Sequence, residues 1–390
     1  MNPRLRAGIG ACEDGDGFVA GRTAAATAVA ALGGEPPALV IVYSSACYDL
    51  DAVLGGVRDL TGDTPLVGAT SAGTFHLGRV IPDDRGVSVL AVTAGPYRFA
   101  VASTDLHTYP DIRAAGSALA REVKAAAGPD LREHAALLLL SESFAGDQQA
   151  LLAGVHRVVG AGVPVVGGSP GDDRSWSRTR VFHDDRVLAH SAVAVWIDAD
   201  EPFTVSWGHG WQPMGSPLMA TKVDGLMVEE INGRPAMDVY LREVGYDEGP
   251  LTPGLYPAKV LQEHPVGLLQ PDGSHVVRVW TVEEEDRLSC FSPIPLYAPI
   301  QVLTATPDDM LGASESVVGA ALHGREPGVL LGFSCSVRVD ALGERIHDEA
   351  ARMQAAAGDV PTFGFYTYGE FARSSSVAGY HNASLVALAL

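Results

Sequence analysis

Lysine is almost missing from this chain: among 390 residues it occurs at 124, 222 and 259, and no basic run exists. With 47 acidic against 27 basic side chains the formal charge is −20. That excludes a nucleic-acid surface, because phosphate backbones are gripped by clustered Lys and Arg. The four cysteines, at 12, 47, 290 and 335, form no C-x-x-C pair and no zinc-type spacing, which fits a reducing cytoplasm. No stretch reaches the ~18 to 20 apolar residues that span a bilayer. The N-terminus, MNPRLRAGIG, carries basic residues with no apolar core behind them, so no export signal is read. A cytoplasmic protein with neither membrane nor nucleic acid as partner is expected.

What is present is apolar material. The 47% hydrophobic content is ample for two or three cores at this length. Near the C-terminus, Gly328 to Arg338 (GVLLGFSCSVR) reads as a buried strand ending in small polar residues and an arginine. Gly343 to Gly358 reads as a helix, with Ile346, Ala350, Met353 and Ala357 on one stripe and Gly358 as its stop. Thr362 to Phe371 (TFGFYTYGEF) reads as a strand covered on both faces, with Phe363 and Phe365 one way and Tyr366 and Tyr368 the other. Tyr380, His381 and Asn382 then precede a closing apolar strand, Leu385 to Leu390.

The first half repeats itself. Ala38 to Gly62 lies over Ala136 to Gly160 without a gap, sharing Ser45 with Ser143 and Asp49 with Asp147; one added residue later, Pro65 to Thr70 lies over Pro164 to Ser169. Each copy reads strand, Asp N-cap, amphipathic helix, Gly stop, strand, so each is expected to be a βαβ unit with parallel strands. Ligands of such units gather beyond the carboxyl ends of the strands, which places Ser45, Cys47, Thr70 and Ser169 as candidates. Small residues that make tight turns after strands explain the same pattern. Gly86 to Ala94 and Phe99 to Thr104 read as further strands, Asp111 to Ala127 as a capped helix, and Val187 to Ile197 as a strand. Glu230 to Tyr240 (EINGRPAMDVY) reads as strand, Asn-Gly turn and a helix with Pro235 in its first turn. Asp247 to Pro271, rich in Gly and Pro, is expected to be irregular.

Several of these strings together resemble the FIST family, the F-box and intracellular signal transduction domain. They are FSC-x-x-R (Phe333 to Arg338), GFYTYGE (Gly364 to Glu370) and HN-x-x-LVALAL (His381 to Leu390). The N-terminal half adds AGR-x-A (Ala20 to Ala24), YDL (Tyr48 to Leu50) and PLVGATSAG (Pro65 to Gly73), and TVSWGHGWQPMG (Thr204 to Gly215) matches a Gly-x-Gly-Trp-x-Pro-x-Gly segment. The resemblance implies an α/β protein of two layered lobes with mixed sheets, divided softly at 1–222 and 223–390, the first lobe holding the duplicated βαβ unit. It implies a non-enzymatic sensor of a small ligand, such as an amino acid or related organic acid. The chain shows no output domain, so the signal is expected to pass to a separate protein such as a histidine kinase or a cyclic-dinucleotide enzyme.

Candidate ligand contacts at the C-terminal end are Ser334, Arg338, Tyr366, Tyr368, Glu370, His381 and Asn382. Arg338 can grip a carboxylate bidentately, or form a structural ion pair. One face of the aromatic strand is expected to pack on helix 343–357 and the other to line the cleft. The resemblance also admits a haem-bound nitric oxide sensor, which needs one axial histidine; His209, between Trp207 and Trp211, and His381 are the candidates, each readable instead as a hydrogen-bonded histidine of the core. A hydrolase is a third reading, from Glu370 beside His381 and Asn382, without an oxyanion or nucleophile motif. Cys47 before an Asp-capped helix and Cys335 could be reactive thiols, or small buried residues.

Overall fold

The computed structural model describes residues 4–82, 85–254, 258–283, 287–373 and 379–390. Among these residues the strands form three six-stranded sheets and one eight-stranded sheet. The first sheet runs in the order Ala7–Cys12, Val87–Val92, Leu39–Ser45, Leu66–Ser71, Val181–His183, Arg186–Leu188. The second runs Arg98–Asp105, Ser191–Ala199, His134–Ser141, Val165–Ser169, Gly369–Arg373, Tyr380–His381. The third runs Val205–Gly208, Leu385–Ala389, Leu330–Cys335, Thr362–Thr367, Thr74–His76, Arg79–Ile81.

All three sheets follow one plan. In each, a parallel pair sits at the centre: Leu39–Ser45 with Leu66–Ser71, His134–Ser141 with Val165–Ser169, and Leu330–Cys335 with Thr362–Thr367. The remaining pairings are antiparallel, and the last two strands of each sheet are a hairpin from a different part of the chain. The hairpin after Ser71 completes the third sheet, the hairpin after Ser169 completes the first, and the strands after Thr367 complete the second. Where the three second strands end, backbone bonds close a ring: Gly171 N donates to Thr70 O (3.2 Å), Tyr368 N to Ser169 O (3.0 Å), and Ala72 N to Tyr366 O (3.0 Å).

The inner faces of the three sheets enclose one core, in which Ile41, Tyr43, Leu138, Leu140, Leu331, Phe333, Phe363 and Phe365 are buried together. Tyr43 stacks on Phe365 at 4.2 Å between ring centroids and on Phe363 at 5.3 Å. The outer face of the first sheet is covered by helices Gly17–Ala30 and Leu50–Thr61, that of the second by Ile112–Ala126 and Gln148–Val159, and that of the third by Pro307–Leu322 and Ile346–Ala357. Asp49, Asp111 and Asp147 cap their helices as the sequence predicts. The fourth sheet lies in the chain between Val205–Gly208 and Pro307–Leu322. Its strands fall within residues 212–304 and bury a core of their own around Tyr240, Leu261 and Trp280.

Several boundaries differ from expectation. The strand read to Arg338 stops at Cys335, and Ser336–Leu342 is helical. TFGFYTYGEF is two strands, Thr362–Thr367 and Gly369–Arg373, lying in different sheets, because the chain crosses at Tyr368. Helix Ile346–Ala357 packs on the tyrosine face of Thr362–Thr367, in one cluster with Tyr366 and Tyr368, while Phe363 and Phe365 face the central core. Asp247 to Pro271 holds helix Lys259–Glu263 and strand Val266–Leu269, with residues 255–257 outside the described residues. Pro235 precedes its helix rather than opening it. The division at 222/223 falls inside strand Gln212–Asp224. Val40 and Leu137 take equivalent bonds, to Pro65 O and Pro164 O. Ser44 therefore matches Ser141, and the gapless alignment is one residue out of register in the strand, a slip that exchanges the two faces.

One glycine recurs at the same place in each parallel pair. A Cβ on Gly68 would stand 2.0 Å from Val42 O, on Gly167 2.0 Å from Leu139 O, and on Gly364 2.1 Å from Gly332 O and 2.3 Å from Phe75 Cζ. Close backbone approach in a strand is a recognised reason for glycine. Gly364→Ala is expected to lower stability by about 1–3 kcal/mol through overpacking, read as a fall in the urea midpoint with little change in slope.

Candidate functional site

The strands of the second sheet end at a mouth built from three parts of the fold. After Ser141 the chain turns through residues 142–147 into helix Gln148–Val159, whose cap Asp147 accepts from Gln149 N (2.9 Å) and Ala150 N (3.2 Å). After Ser169 a loop is organised by one buried carboxylate. Asp172 accepts from Trp176 N (3.0 Å), Ser177 N (2.8 Å), Arg178 N (2.9 Å), Ser175 Oγ (3.1 Å) and the Tyr368 hydroxyl (2.5 Å). Burial pushes this carboxyl up, but the hydrogen bonds from Tyr368, Arg178, Ser177 and Trp176 outweigh it and hold the group below its ordinary value. The same bonds sustain the left-handed backbone at Arg174 (φ 66°) and Trp176 (φ 53°), conformations that non-glycine residues take when surroundings enforce them.

Trp176 is thereby laid flat on Tyr368, with centroids 4.1 Å apart and planes within 9°. Its ring also stacks at 5.1 Å with Phe291, which follows strand Arg287–Cys290 of the fourth sheet, the sheet inserted between Val205–Gly208 and Pro307–Leu322. Phe144 lies 6.2 Å from both Trp176 and Tyr368 and is 38% exposed, so the stack opens to solvent at Phe144. Arg174 pairs with Asp340 beside it. Trp176 and Tyr368 are themselves buried, with Trp176 stacked on both Tyr368 and Phe291, so Phe144 is the exposed edge of the stack. A hollow of about 510 Å³ lies beside Arg58 and Asp184, and two of about 550 and 400 Å³ lie at the opposite ends of the second sheet's strands. Charged side chains line all three, among them the exposed pair Arg4–Glu326 in the largest. None of them places an aromatic stack against the strand ends.

Of the residues proposed from sequence, Tyr368 lies in this mouth and the others do not join it in one cleft. Thr70 is bonded to Arg180, its Oγ1 accepting from Arg180 N (3.0 Å), and Ser45 is buried at its strand end. Cys47 is exposed in the turn before Asp49. Ser169 is buried in the backbone ring. Tyr366 is buried with its hydroxyl unpartnered, its ring 5.4 Å from Phe75. Asn382 is buried as well.

Arg338 is fully buried and committed to the protein. It donates to Glu349 Oε1 from Nε (3.0 Å) and Nη2 (2.6 Å), to His209 O (2.7 Å), to Met310 O (3.1 Å) and to Ser314 Oγ (2.7 Å). Ser334 joins the same network through Glu349 Oε2 (3.1 Å). The carboxylate-gripping role is therefore corrected: the donors are filled internally, and the ion pair is with Glu349. Glu370 accepts from Thr367 Oγ1 (2.5 Å) and from Ser384 Oγ (2.7 Å) and N (3.2 Å), all neutral donors. Burial pushes its carboxyl up to about 7, against the pull of those bonds. The thiol of Cys335 is raised well above its ordinary value by burial, which removes it as a reactive thiolate.

Both candidate histidines are hydrogen-bonded within the fold, and His381 keeps a buried Nδ1 without a partner. His209 uses both ring nitrogens, Nδ1 accepting from Trp211 N (2.9 Å) and Nε2 bonded to His275 O (3.2 Å), and burial lowers it to about 4. His381 Nε2 is bonded to Ala372 O (3.0 Å) while its ring lies 4.3 Å from Trp207. Among the described residues no group of three or more His, Cys, Asp or Glu could hold a metal ion. Sequence reasoning missed Asp172, Trp176, Phe144 and Phe291. Asp172 was within reach, since it lies three residues after the strand end Ser169, whereas nothing local marks Phe291.

Two measurements test these assignments. Arg338→Ala is expected to cost about 3–5 kcal/mol, because it strands the buried Glu349 charge, while the double change Arg338→Met with Glu349→Leu recovers most of the loss; urea unfolding of the wild type and the two variants reads the difference. For Glu370, the folded carboxyl holds its proton to about pH 7 against 4.5 ordinarily, so the native state binds the extra proton between those values. Stability from this group falls as pH rises from about 4.5 to 7. Melting temperatures of Glu370→Gln across that window should lack this fall; an unchanged slope would refute the assignment.

Comparison with protein families matches residues 38–234 to the FIST N domain and residues 236–373 to the FIST C domain. An uncharacterized protein of Mycobacterium bovis is 26% identical over 379 residues, covering 94% of each chain. An uncharacterized protein of Mycobacterium tuberculosis is 26% identical over 392 residues, covering 97% of each. An uncharacterized protein of Methanocaldococcus jannaschii is 22% identical over 271 residues, covering 64% of this chain and 51% of its own. FIST domains are linked broadly to small-molecule sensing and signalling. With both of its domains matched in order along the sequence, this chain belongs to the FIST family.

Proposed function

We propose that the protein is a non-catalytic sensory module of the cytoplasm, which binds a small molecule at the mouth of the second sheet and passes the signal to a separate output protein. The observation that carries this reading is the aromatic stack of Phe144, Trp176, Tyr368 and Phe291. It joins the second sheet, the crossing at Tyr368 and the inserted sheet at one point, so a bound ring changes the contact between bodies that otherwise meet there directly. Asp172 is saturated by five donors, which supports binding rather than acid-base chemistry. Among the described residues no helix is long and apolar enough to cross a membrane. We also read the three segments carrying the parallel pairs as copies of one ancestral unit, the third interrupted by the inserted sheet. The common strand order and the common glycine support this.

Benzamide and benzoate serve as flat probes. At least one should raise the melting temperature with concentration, as binding to the native state requires, and shift an emission that is lost in Trp176→Phe. Phe144→Ala is expected to weaken the response by about 2- to 10-fold, the range of an aromatic contact worth about 0.5–1.5 kcal/mol. No response to either probe, together with an unaltered melting curve in Phe144→Ala, would overturn the site.

A further inference from the structure

We propose that Arg278, buried where the inserted sheet meets the second sheet, is the seat of a small organic anion whose apolar part lies against the aromatic stack. This rests on the mouth described above and adds the charge of what it takes.

Arg278 is 4% exposed, and among the described residues it forms no ion pair with a carboxylate. Nη1 donates to Val277 O (3.0 Å) and to Tyr380 O (3.1 Å), and Nε has no acceptor. Its neighbours do not neutralise it. Burial pushes both the Cys290 thiol and the Tyr380 hydroxyl up, so both stay uncharged. The acidic group that acts on it, Asp147, is engaged in capping helix Gln148–Val159. A buried cation without a counter-ion is strongly disfavoured, and this chain shows the alternative in Arg338, whose guanidinium is held by Glu349.

The position ties the cation to the stack. The residue that follows Cys290 is Phe291, which stacks on Trp176. The residue after that is Ser292, wholly buried with its hydroxyl unpartnered. On the other side, the carbonyl that accepts from Arg278 belongs to Tyr380, whose hydroxyl donates to Tyr368 O (3.5 Å). A guanidinium nitrogen and a hydroxyl without partners, beside stacked rings, are what a carboxylate carrying a flat apolar group satisfies. Water would supply the hydrogen bonds but leave the charge uncompensated.

Benzoate and benzamide have the same shape and differ in charge, so melting curves of the full chain at constant ionic strength separate the terms. Benzoate is expected to bind at least tenfold more tightly than benzamide, and Arg278→Met to erase that preference. Without added ligand, Arg278→Met should melt at or above the wild-type temperature, since an unpaired buried cation has gone. Ser292→Ala, which removes no charge, should weaken benzoate about 3- to 10-fold with an unchanged unliganded melt, and it carries the test if Arg278→Met does not fold. Equal stabilisation by the two probes, still dependent on Phe144, would overturn the anion site and leave the aromatic mouth standing. Stabilisation by neither overturns both.

Discussion

The fold depends on the exchange of hairpins among the three sheets. No parallel pair is completed by the strands that directly follow it: the hairpin after Ser71 closes the third sheet, the strands after Ser169 close the first, and those after Thr367 close the second. The second strand of each parallel pair is thereby paired by another segment, and the edge on that side passes to a short strand, Arg186–Leu188, Tyr380–His381 or Arg79–Ile81, a form of edge that resists further pairing. The three backbone bonds joining Thr70, Ser169 and Tyr366 to Gly171, Tyr368 and Ala72 are the points where the exchange is locked. The central core around Tyr43, Phe333 and Phe365 exists once all three sheets are in place. Local hairpins thus depend on contacts far apart in sequence, a topology associated with slow folding.

Buried charged groups of this fold are satisfied in different ways. Arg338 with Glu349 and Ser314 ties helices Pro307–Leu322 and Ile346–Ala357 to the third sheet. Asp172 fixes a loop whose backbone would otherwise resist the left-handed turns at Arg174 and Trp176. Glu370 has its carboxyl pushed up by burial and is held by neutral donors rather than by a cation. Arg278 stands apart because its charge meets no opposite charge among the described residues, and it does so beside the stack where three parts of the chain converge. On the proposed reading, a ligand held there would bridge the inserted sheet and the second sheet. A ligand that binds one arrangement better than another shifts the balance between them.

Much of the local structure was legible. Period-3.6 stripes and aspartate caps marked helices Leu50–Thr61, Ile112–Ala126 and Gln148–Val159, and the matching strings around Pro65 and Pro164 pointed to similar segments. The third such segment was read piecewise, because Ser336–Leu342 intervenes between its strand and its main helix and blurs the match. Among the candidate residues Tyr368 reached the mouth. Arg338, Ser334 and Glu370 looked alike in sequence, small or charged residues at strand ends, yet each found its partner inside a core. The crossing at Tyr368 was hidden as well, since an unbroken aromatic string carries no mark of where a chain leaves one sheet for another.

The sequence by itself determined where most strands and helices form, and it placed the glycines at 68, 167 and 364 that let paired strands approach. Those features follow from side-chain periodicity and from the space a Cβ needs, both local properties. Tertiary structure alone decided which hairpin completes which sheet, and that Trp176, Tyr368, Phe291 and Arg278 meet. The physical reason is that backbone N–H and C=O groups are alike at every sheet edge. Pairing is therefore selected by the joint burial of all three inner faces, a condition no single segment of the chain encodes.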